Sequence, residues 1–273
     1  MKLVCAKSDL LNGVQIVSKA VPSKTTMSIL ECILVDASKG MIKLTANDTE
    51  LGIDTIIDGQ IVEKGIVALD AKIFFEIIRK LPDNQVVIET DENYHMSITC
   101  EKANFNIAGK NPDEFPSLPS VERSKGIVIS QFSLKEIIRQ TVFSISDNET
   151  NKIMTGELLE ITEDKLRVIS LDGHRVSIRK IQLRESYENA KVIVPGKTLN
   201  EISKILSGGT EDNVEIFFTD KHIIFEFDQT MVLSRLIEGE FYNIDQMLSN
   251  DYETKITVNK KEFFNSIDRS TLL

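Results

Sequence analysis

Two stretches of this 273-residue chain carry residue types that could do chemistry. The first is Pro195-Gly196-Lys197-Thr198, between the strand-like Val192-Ile193-Val194 and a helical segment. Glycine, lysine and a hydroxyl at a strand-to-helix turn are the parts of a phosphate-binding loop, whose backbone N–H groups curl round the phosphates. That loop needs a further glycine at position 191, which is lysine here. A nucleotide site is therefore not supported. The second stretch is Ser170-Leu171-Asp172-Gly173-His174-Arg175, at the end of the strand-like Lys165–Ser170. Serine, histidine and aspartate could form a nucleophile and its base. No nucleophile elbow surrounds Ser170, however, and the other histidines, His95 and His222, fall in hairpins away from any metal-ligand spacing. Asp-Gly after a strand is first a turn signal. No cluster of carboxylates for catalytic metal ions appears at a strand end with a basic partner. These residues point to binding rather than bond-making.

The elements that position them come in two copies. Ile66-Val67-Ala68-Leu69 leads into Ala71-Lys72-Ile73-Phe74-Phe75-Glu76, and about 125 residues later Val192-Ile193-Val194-Pro195 leads into Gly196-Lys197-Thr198-Leu199-Asn200-Glu201. Both copies end alike, at Asp113-Glu114-Phe115-Pro116-Ser117-Leu118-Pro119 and at Glu238-Gly239-Glu240-Phe241-Tyr242. An earlier matched piece, Ser8-Asp9-Leu10-Leu11 and Leu134-Lys135-Glu136-Ile137, returns a third time as Lys261-Glu262-Phe263-Phe264. A repeat this long is a whole domain, not a solenoid unit. The expected boundaries are 1–124, 125–253 and the start of a third domain at 254–273, with polar linkers at Ser120–Lys125 and Ser249–Thr254. The first copy has no histidine or arginine in Thr45-Ala46-Asn47-Asp48-Thr49-Glu50-Leu51, the counterpart of the Asp172–Arg175 turn. Whatever His174 and Arg175 do is peculiar to the second domain.

Strand-like runs dominate, including 86–90, 96–100, 214–218 and 223–227, joined by turns at Ser38-Lys39-Gly40 and Thr219–His222. Helical spacing marks segments near 8–20, 72–80, 134–145 and 197–206. Two helices set in antiparallel sheet per domain is an α+β pattern. Cys5, Cys32 and Cys100 are far apart and sit in apolar runs, which fits a reducing compartment and no disulfide framework. The N-terminus does not read as a signal peptide and no apolar run approaches membrane-spanning length, so a soluble cytoplasmic protein without membrane association is expected. The net charge of −10 excludes a generally basic nucleic-acid binder. The helices nevertheless carry Lys72, Arg79 and Lys80 against Glu76, Lys135 and Arg139 against Glu136, and Lys197 and Lys204 against Glu201. Basic helices on an acidic protein suggest one surface that meets phosphate while the rest repels it; lysines on ordinary exposed helix faces would look the same.

In this order and spacing, Thr45–Ile53, Phe115–Pro119, Thr155-Gly156, Asp172–Arg175, Val192–Pro195 and Gly239–Phe241 resemble the bacterial sliding clamps, the beta subunits of DNA polymerase III, over the whole chain. The resemblance implies three such domains per subunit and two subunits closed head to tail. The ring encircles duplex DNA, with antiparallel sheets outside and two helices per domain lining a central hole. It implies a processivity factor with no catalysis and no cofactor. Lys72, Arg79, Lys80, Lys135, Arg139, Lys197 and Lys204 would face phosphates, and Lys24 and Asn148 would lie in loops that touch DNA at the ring face. The DNA polymerase III alpha subunit, the clamp loader and other clamp-binding-motif proteins would insert a short apolar peptide into a pocket on the second domain. By position, that pocket would involve Met154, Leu171, Gly173, His174, Arg175, Val176, Tyr242, Gln246 and Met247. Tyr242 replaces a common proline, Gln246 a frequent arginine, and Asn151-Lys152 a common Arg-Pro, which would alter the preferred peptide.

The resemblance also gives the third domain part of the pocket wall and half of the subunit interface. With that domain only begun before Leu273, this chain by itself is not expected to close the usual ring. Two other functions remain open on the residues alone: a nucleic-acid enzyme, and a scaffold that binds only peptides.

Overall fold

The computed structural model describes residues 1–124, 126–248 and 252–272. Lys125 and Ser249 to Asp251, at the ends of the expected linkers, lie outside these residues, as does Leu273. The chain divides into two compact units, Met1–Gly239 and Glu240–Leu273. Within the larger unit the first repeat runs β1 (Lys2–Ala6), α1 (Lys7–Val17), β2 (Cys32–Asp36), β3 (Ile42–Asn47), β4 (Leu51–Ile57), β5 (Gln60–Glu63), β6 (Ile66–Asp70), α2 (Ala71–Lys80), β7 (Gln85–Thr90), β8 (His95–Cys100) and β9 (Ala103–Ala108). The second runs β10 (Gly126–Ser130), α3 (Gln131–Thr141), β11 (Gly156–Leu171), β12 (Val176–Pro195), α4 (Gly196–Ile205), β13 (Asn213–Phe218), β14 (His222–Phe227) and β15 (Thr230–Arg235). The smaller unit holds α5 (Ile244–Met247) and α6 (Lys260–Ser270).

The fold is α+β, with antiparallel sheets and two helices in each repeat, as the spacing predicts. The expected helices over 8–20 and 134–145 are shorter, because each ends in a 3₁₀ turn, Ser18–Ala20 and Val142–Ser144. α1 and α2 pack on each other, as do α3 and α4. Sequence explains the starts. Asp70 accepts the Ile73 N–H at 2.8 Å and Ser130 Oγ the Ser133 N–H at 3.2 Å, each capping a first turn. In α2 the buried stripe is Ala71, Phe74 and Ile78, while Ile73 is exposed.

The repeats differ in how their strands are divided. At the 125-residue offset β11 covers what β2 and β3 do separately, and β12 what β4, β5 and β6 do. The turn at Gly40, where φ is +84°, becomes in β11 a corner at Glu163, where φ is +54° and the register with β12 shifts on either side. Glu160 and Arg167, on opposite sides of that corner, form an ion pair at 3.3 Å. The long hairpin is therefore folded, not straight.

An eight-stranded sheet, β10-β13-β14-β15-β4-β3-β2-β6, runs through both repeats, and a five-stranded one, β5-β1-β7-β8-β9, completes the first. The repeats join where β15 pairs with β4, Val232 opposite Ile53 and Thr230 opposite Thr55. Thr55 and Thr230 share a buried hydroxyl–hydroxyl bond of 2.8 Å across that seam. Ile53 and Val232 are fully buried in a core continuous through both repeats. Ile53→Ala should cost about 2–5 kcal/mol, the usual range for truncating a buried isoleucine. Because the core is shared, chemical denaturation should show a lower midpoint for both repeats in one transition.

Candidate functional site

The phosphate-loop look-alike is fully committed to packing. Gly196 is buried, and a Cβ there would collide with the Ile145 side chain and meet the Thr155 carbonyl at 3.0 Å. The glycine serves close approach, not a phosphate. Lys197 Nζ pairs with the Asp48 carboxylate in the first repeat. Thr198 is buried and bonded to Ser234 Oγ at 2.7 Å. Ser170 is likewise no nucleophile: it is buried, and its hydroxyl donates to the Thr141 carbonyl at 2.6 Å. His174 is exposed. The described residues contain no group of three or more His, Cys, Asp or Glu placed to hold a metal ion.

The basic helix residues have individual circumstances. Three pair within their own helix with a glutamate one turn back: Arg79 with Glu76 at 2.6 Å, Arg139 with Glu136 at 2.8 Å, and Lys204 with Glu201 at 2.7 Å. Arg139 makes two such bonds, and its hydrogen bonding pulls the half-buried Glu136 carboxyl down to about 2. Lys135 leans onto α4, donating to the Leu206 carbonyl at 2.8 Å and so closing that helix's C-terminal end. Lys72 and Lys80 are exposed, with no hydrogen bond or ion pair among the described residues. Lys24 is exposed in the segment after the Ser18–Ala20 turn; Asn148 is exposed and turns its side-chain oxygen to the Thr150 N–H at 3.0 Å. Helices of both repeats meet at a groove of about 600 Å³ whose cations are Lys19, Lys72 and Lys204. Lys19 is the one that sequence reasoning left out, because Asp9 balances it within the helical segment.

The Asp172–Arg175 turn is built by its aspartate. Asp172 Oδ1 accepts the N–H groups of His174 and Arg175 at 3.0 and 3.1 Å, and Oδ2 accepts from Arg175 Nε at 2.8 Å. The His174 N–H foremost, then Arg175, hold its carboxyl below the usual range. Gly173 takes φ +90°, which glycine tolerates without strain. The Arg175 guanidinium lies 5.7 Å from the centre of the exposed Phe143 ring. Leu171 is fully buried below the turn and opposite Val176 in register.

Met154 comes to the same neighbourhood because β11 is folded. Thr141, at the end of α3, is hydrogen-bonded through its hydroxyl to Glu157 and accepts from Ser170 at its carbonyl, residues near opposite ends of that strand. Met154 in turn accepts from the Ser146 N–H at 2.8 Å. Of the nine expected pocket residues, six lie in the larger unit, and two of these, Met154 through Ser146 and Arg175 through Phe143, reach the segment 141–146. The other three lie in the smaller unit. There Asn243 caps α5 by accepting the Gln246 N–H at 3.3 Å, Met247 is 57% exposed, and the Tyr242 ring meets Phe241 edge-on at 6.2 Å.

Residues 1–119 match the model of the N-terminal domain of the DNA polymerase III beta subunit, and residues 128–243 that of its central domain. The chain belongs to the sliding clamp family. A crystal structure from Eubacterium rectale described as a DNA polymerase III beta subunit is 64% identical with a TM-score of 0.98, covering 100% of this chain and 75% of that one. The beta sliding clamp of Staphylococcus epidermidis is 36% identical over 100% of this chain and 74% of its own length. A sliding clamp from Bartonella birtlesii bound to griselimycin is 27% identical with a TM-score of 0.91, covering 98% of this chain and 73% of that one. In family terms, the Asp172–Arg175 turn and the basic helices α2 and α4 lie in matched domains.

One buried group close to that turn escaped sequence reasoning. Glu157 is fully buried, one carboxyl oxygen has no partner among the described residues, and burial pushes its acid up to about 8. Its other oxygen lies 3.1 Å from Thr141 Oγ1, which is also 2.8 Å from the Ile137 carbonyl. A single hydroxyl proton cannot serve both acceptors. A neutral Glu157 that donates to Thr141, which donates to Ile137, satisfies the whole chain. Because the folded acid is weaker than the unfolded one, this stability is complete below the ordinary glutamate range and is lost as pH rises through about 8. Glu157→Gln cannot ionise. Relative to this variant, the parent chain should lose on the order of a few kcal/mol between pH 5 and pH 9 in denaturant titrations.

Proposed function

We propose that this chain is part of a DNA sliding clamp that surrounds duplex DNA without sequence preference and tethers partner proteins through the Asp172–Arg175 turn. Its domains run 1–124 and 125–253, with a third starting at 254–273, and the full ring is a homodimer in the cytoplasm. It catalyses no reaction. No helix among the described residues is long and apolar enough to cross a membrane. The observation that carries the reading is the convergence of Lys19, Lys72 and Lys204 on one inter-repeat groove of a protein with net charge −10. Such a surface attracts phosphate while the acidic remainder repels it. Contacts of this kind position a duplex but read no bases, which is what sliding requires. Holding then comes from closure of the ring, not from affinity.

The partners proposed are the DNA polymerase III alpha subunit, the clamp loader and other proteins with a clamp-binding peptide. Leu171 and Val176 supply an apolar floor, and His174 and Arg175 a polar rim for the peptide's backbone and charged groups. Met154 stands beside that floor. Tyr242, Gln246 and Met247 are assigned to the same pocket by position in the family. The Bartonella clamp's griselimycin complex makes that compound a suitable probe.

Two measurements test the two halves separately. Charge reversal at Lys72 and Lys80 should flatten the log–log salt dependence of duplex binding by roughly 1 per lysine, with folding intact. The complete gene product, loaded on nicked circles and washed in high salt, should stay on circles and leave linearised DNA; equal loss from both would mean ordinary electrostatic binding. For docking, Arg175→Ala should weaken griselimycin binding roughly tenfold, the value of one charge-assisted contact. Unchanged affinity would remove Arg175 from the pocket.

A further inference from the structure

The junction between the first and second repeats holds a cavity of about 160 Å³, bordered by Asn47, Thr49, Glu50, His222, Leu233 and Arg235 together with the segment Pro116–Pro119. Asn47, Thr49, Glu50, Gly52 and Pro116 correspond, in the repeat, to Leu171, Gly173, His174, Val176 and Tyr242 of the pocket assigned to partner peptides. Asp48 builds its turn as Asp172 does: Oδ1 accepts the N–H groups of Glu50 and Leu51 at 3.0 and 2.7 Å, and the Asp48 N–H bonds to the Leu51 carbonyl at 3.0 Å. Thr49 has φ +77° where Gly173 has +90°. Pro116, after Phe115, stands where Tyr242 follows Phe241. The following repeat supplies the opposite wall, through His222, Leu233 and Arg235.

The first junction differs in being filled. Leu118 packs onto Gly52 so closely that a Cβ at position 52 would collide with it. It also joins a small apolar cluster with Val121, Ile224 and Leu233. Asn47 Nδ2 holds the Pro116 carbonyl at 3.4 Å, and Glu50 accepts the Arg235 N–H at 2.9 Å. At the counterpart of Gly52 the second repeat has Val176, which carries the Cβ that would collide with a leucine placed as Leu118 is in the first.

We propose that the first junction is a second peptide-docking site, occupied in cis by Phe115–Pro119 with Leu118 as the anchoring side chain. The ligand it recognises is a short extended apolar peptide with a leucine at that position. Gly52 is what admits the leucine, and the tether is what keeps partner peptides out. The comparison with the second junction rests on the assignment of the Asp172–Arg175 turn to partner docking. The occupancy by Leu118 does not.

The test empties the site and offers the segment back. In the full chain, Pro116–Pro119 is replaced by Gly-Ser-Gly-Ser, and the acetylated, amidated pentapeptide Phe-Pro-Ser-Leu-Pro is titrated by calorimetry. The expected result is one peptide per chain, with at least tenfold weaker binding when its leucine is replaced by alanine, the effect of one buried leucine side chain. With griselimycin saturating the Asp172–Arg175 pocket in every titration, the parent chain should bind neither. If the replaced chain does not fold, Leu118→Ala with its backbone intact takes its place, with the same leucine preference expected at lower affinity. A folded variant that binds neither peptide, or both equally, overturns the proposal. Griselimycin binding through Arg175 in the same samples would be untouched by that failure, so the two readings fail separately.

Discussion

The structure depends on one antiparallel pairing, β4 with β15. Each repeat alone would present a sheet edge with unpaired N–H and C=O groups, a liability that folded proteins pair or cover. Here the last strand of the second repeat pairs with a strand of the first, and the edges cancel across the seam. The pairing sets the register on both faces, since a one-residue slip would turn Ile53 and Val232 out of the core. It also fixes where α4 stands relative to α1 and α2, and hence the groove that gathers Lys19, Lys72 and Lys204. The inter-repeat ion pair of Lys197 with Asp48 depends on the same register.

The same seam brings the turn after β3 against the wall of the next repeat. A turn capped by its own aspartate, a following strand and the neighbouring repeat's edge make a cleft where the first two repeats meet. Side chains decide whether the cleft is open. Glycine at position 52 lets Leu118 enter; a β-branched valine at the matching position 176 does not leave that room. At this junction the cleft serves as a joint, because position 52 carries no Cβ and Leu118 fills the space.

Much of this was legible in the sequence. The repeat, the four long helices of the larger unit and the hairpin strands follow from apolar spacing and turn residues, because each is decided within a dozen neighbouring positions. The Asp172–Arg175 turn was legible because aspartate and glycine act locally. What stayed hidden required knowing how strands fold on each other. Glu157 reads as an outward-facing strand residue until the corner at Glu163 brings Thr141 over it. Lys135 reads as one more exposed lysine until α4 ends beside it. Leu118, in a proline-flanked loop, carries no period that would mark it as an anchor, and its partner Gly52 reads only as a weak strand position.

The pairing of basic residues with glutamates inside their own helices bears on how a clamp can be both attracted to DNA and mobile on it. An exposed ion pair of this type is worth about 0–1 kcal/mol. A passing phosphate can therefore compete for Arg79, Arg139 or Lys204 at little cost, and the glutamate takes the cation back when the phosphate moves on. On the proposed reading Lys72 and Lys80, without such partners among the described residues, provide attraction that is always available. Were all the cations unpaired, the surface would bind phosphate more tightly and slide less freely; were all paired, it would have little attraction. On the same reading, Glu76, Glu136 and Glu201 belong to the DNA-facing surface in a physical sense, although their own charge repels the duplex. They keep each contact weak, which a topologically closed ring can tolerate and a rapidly sliding one needs.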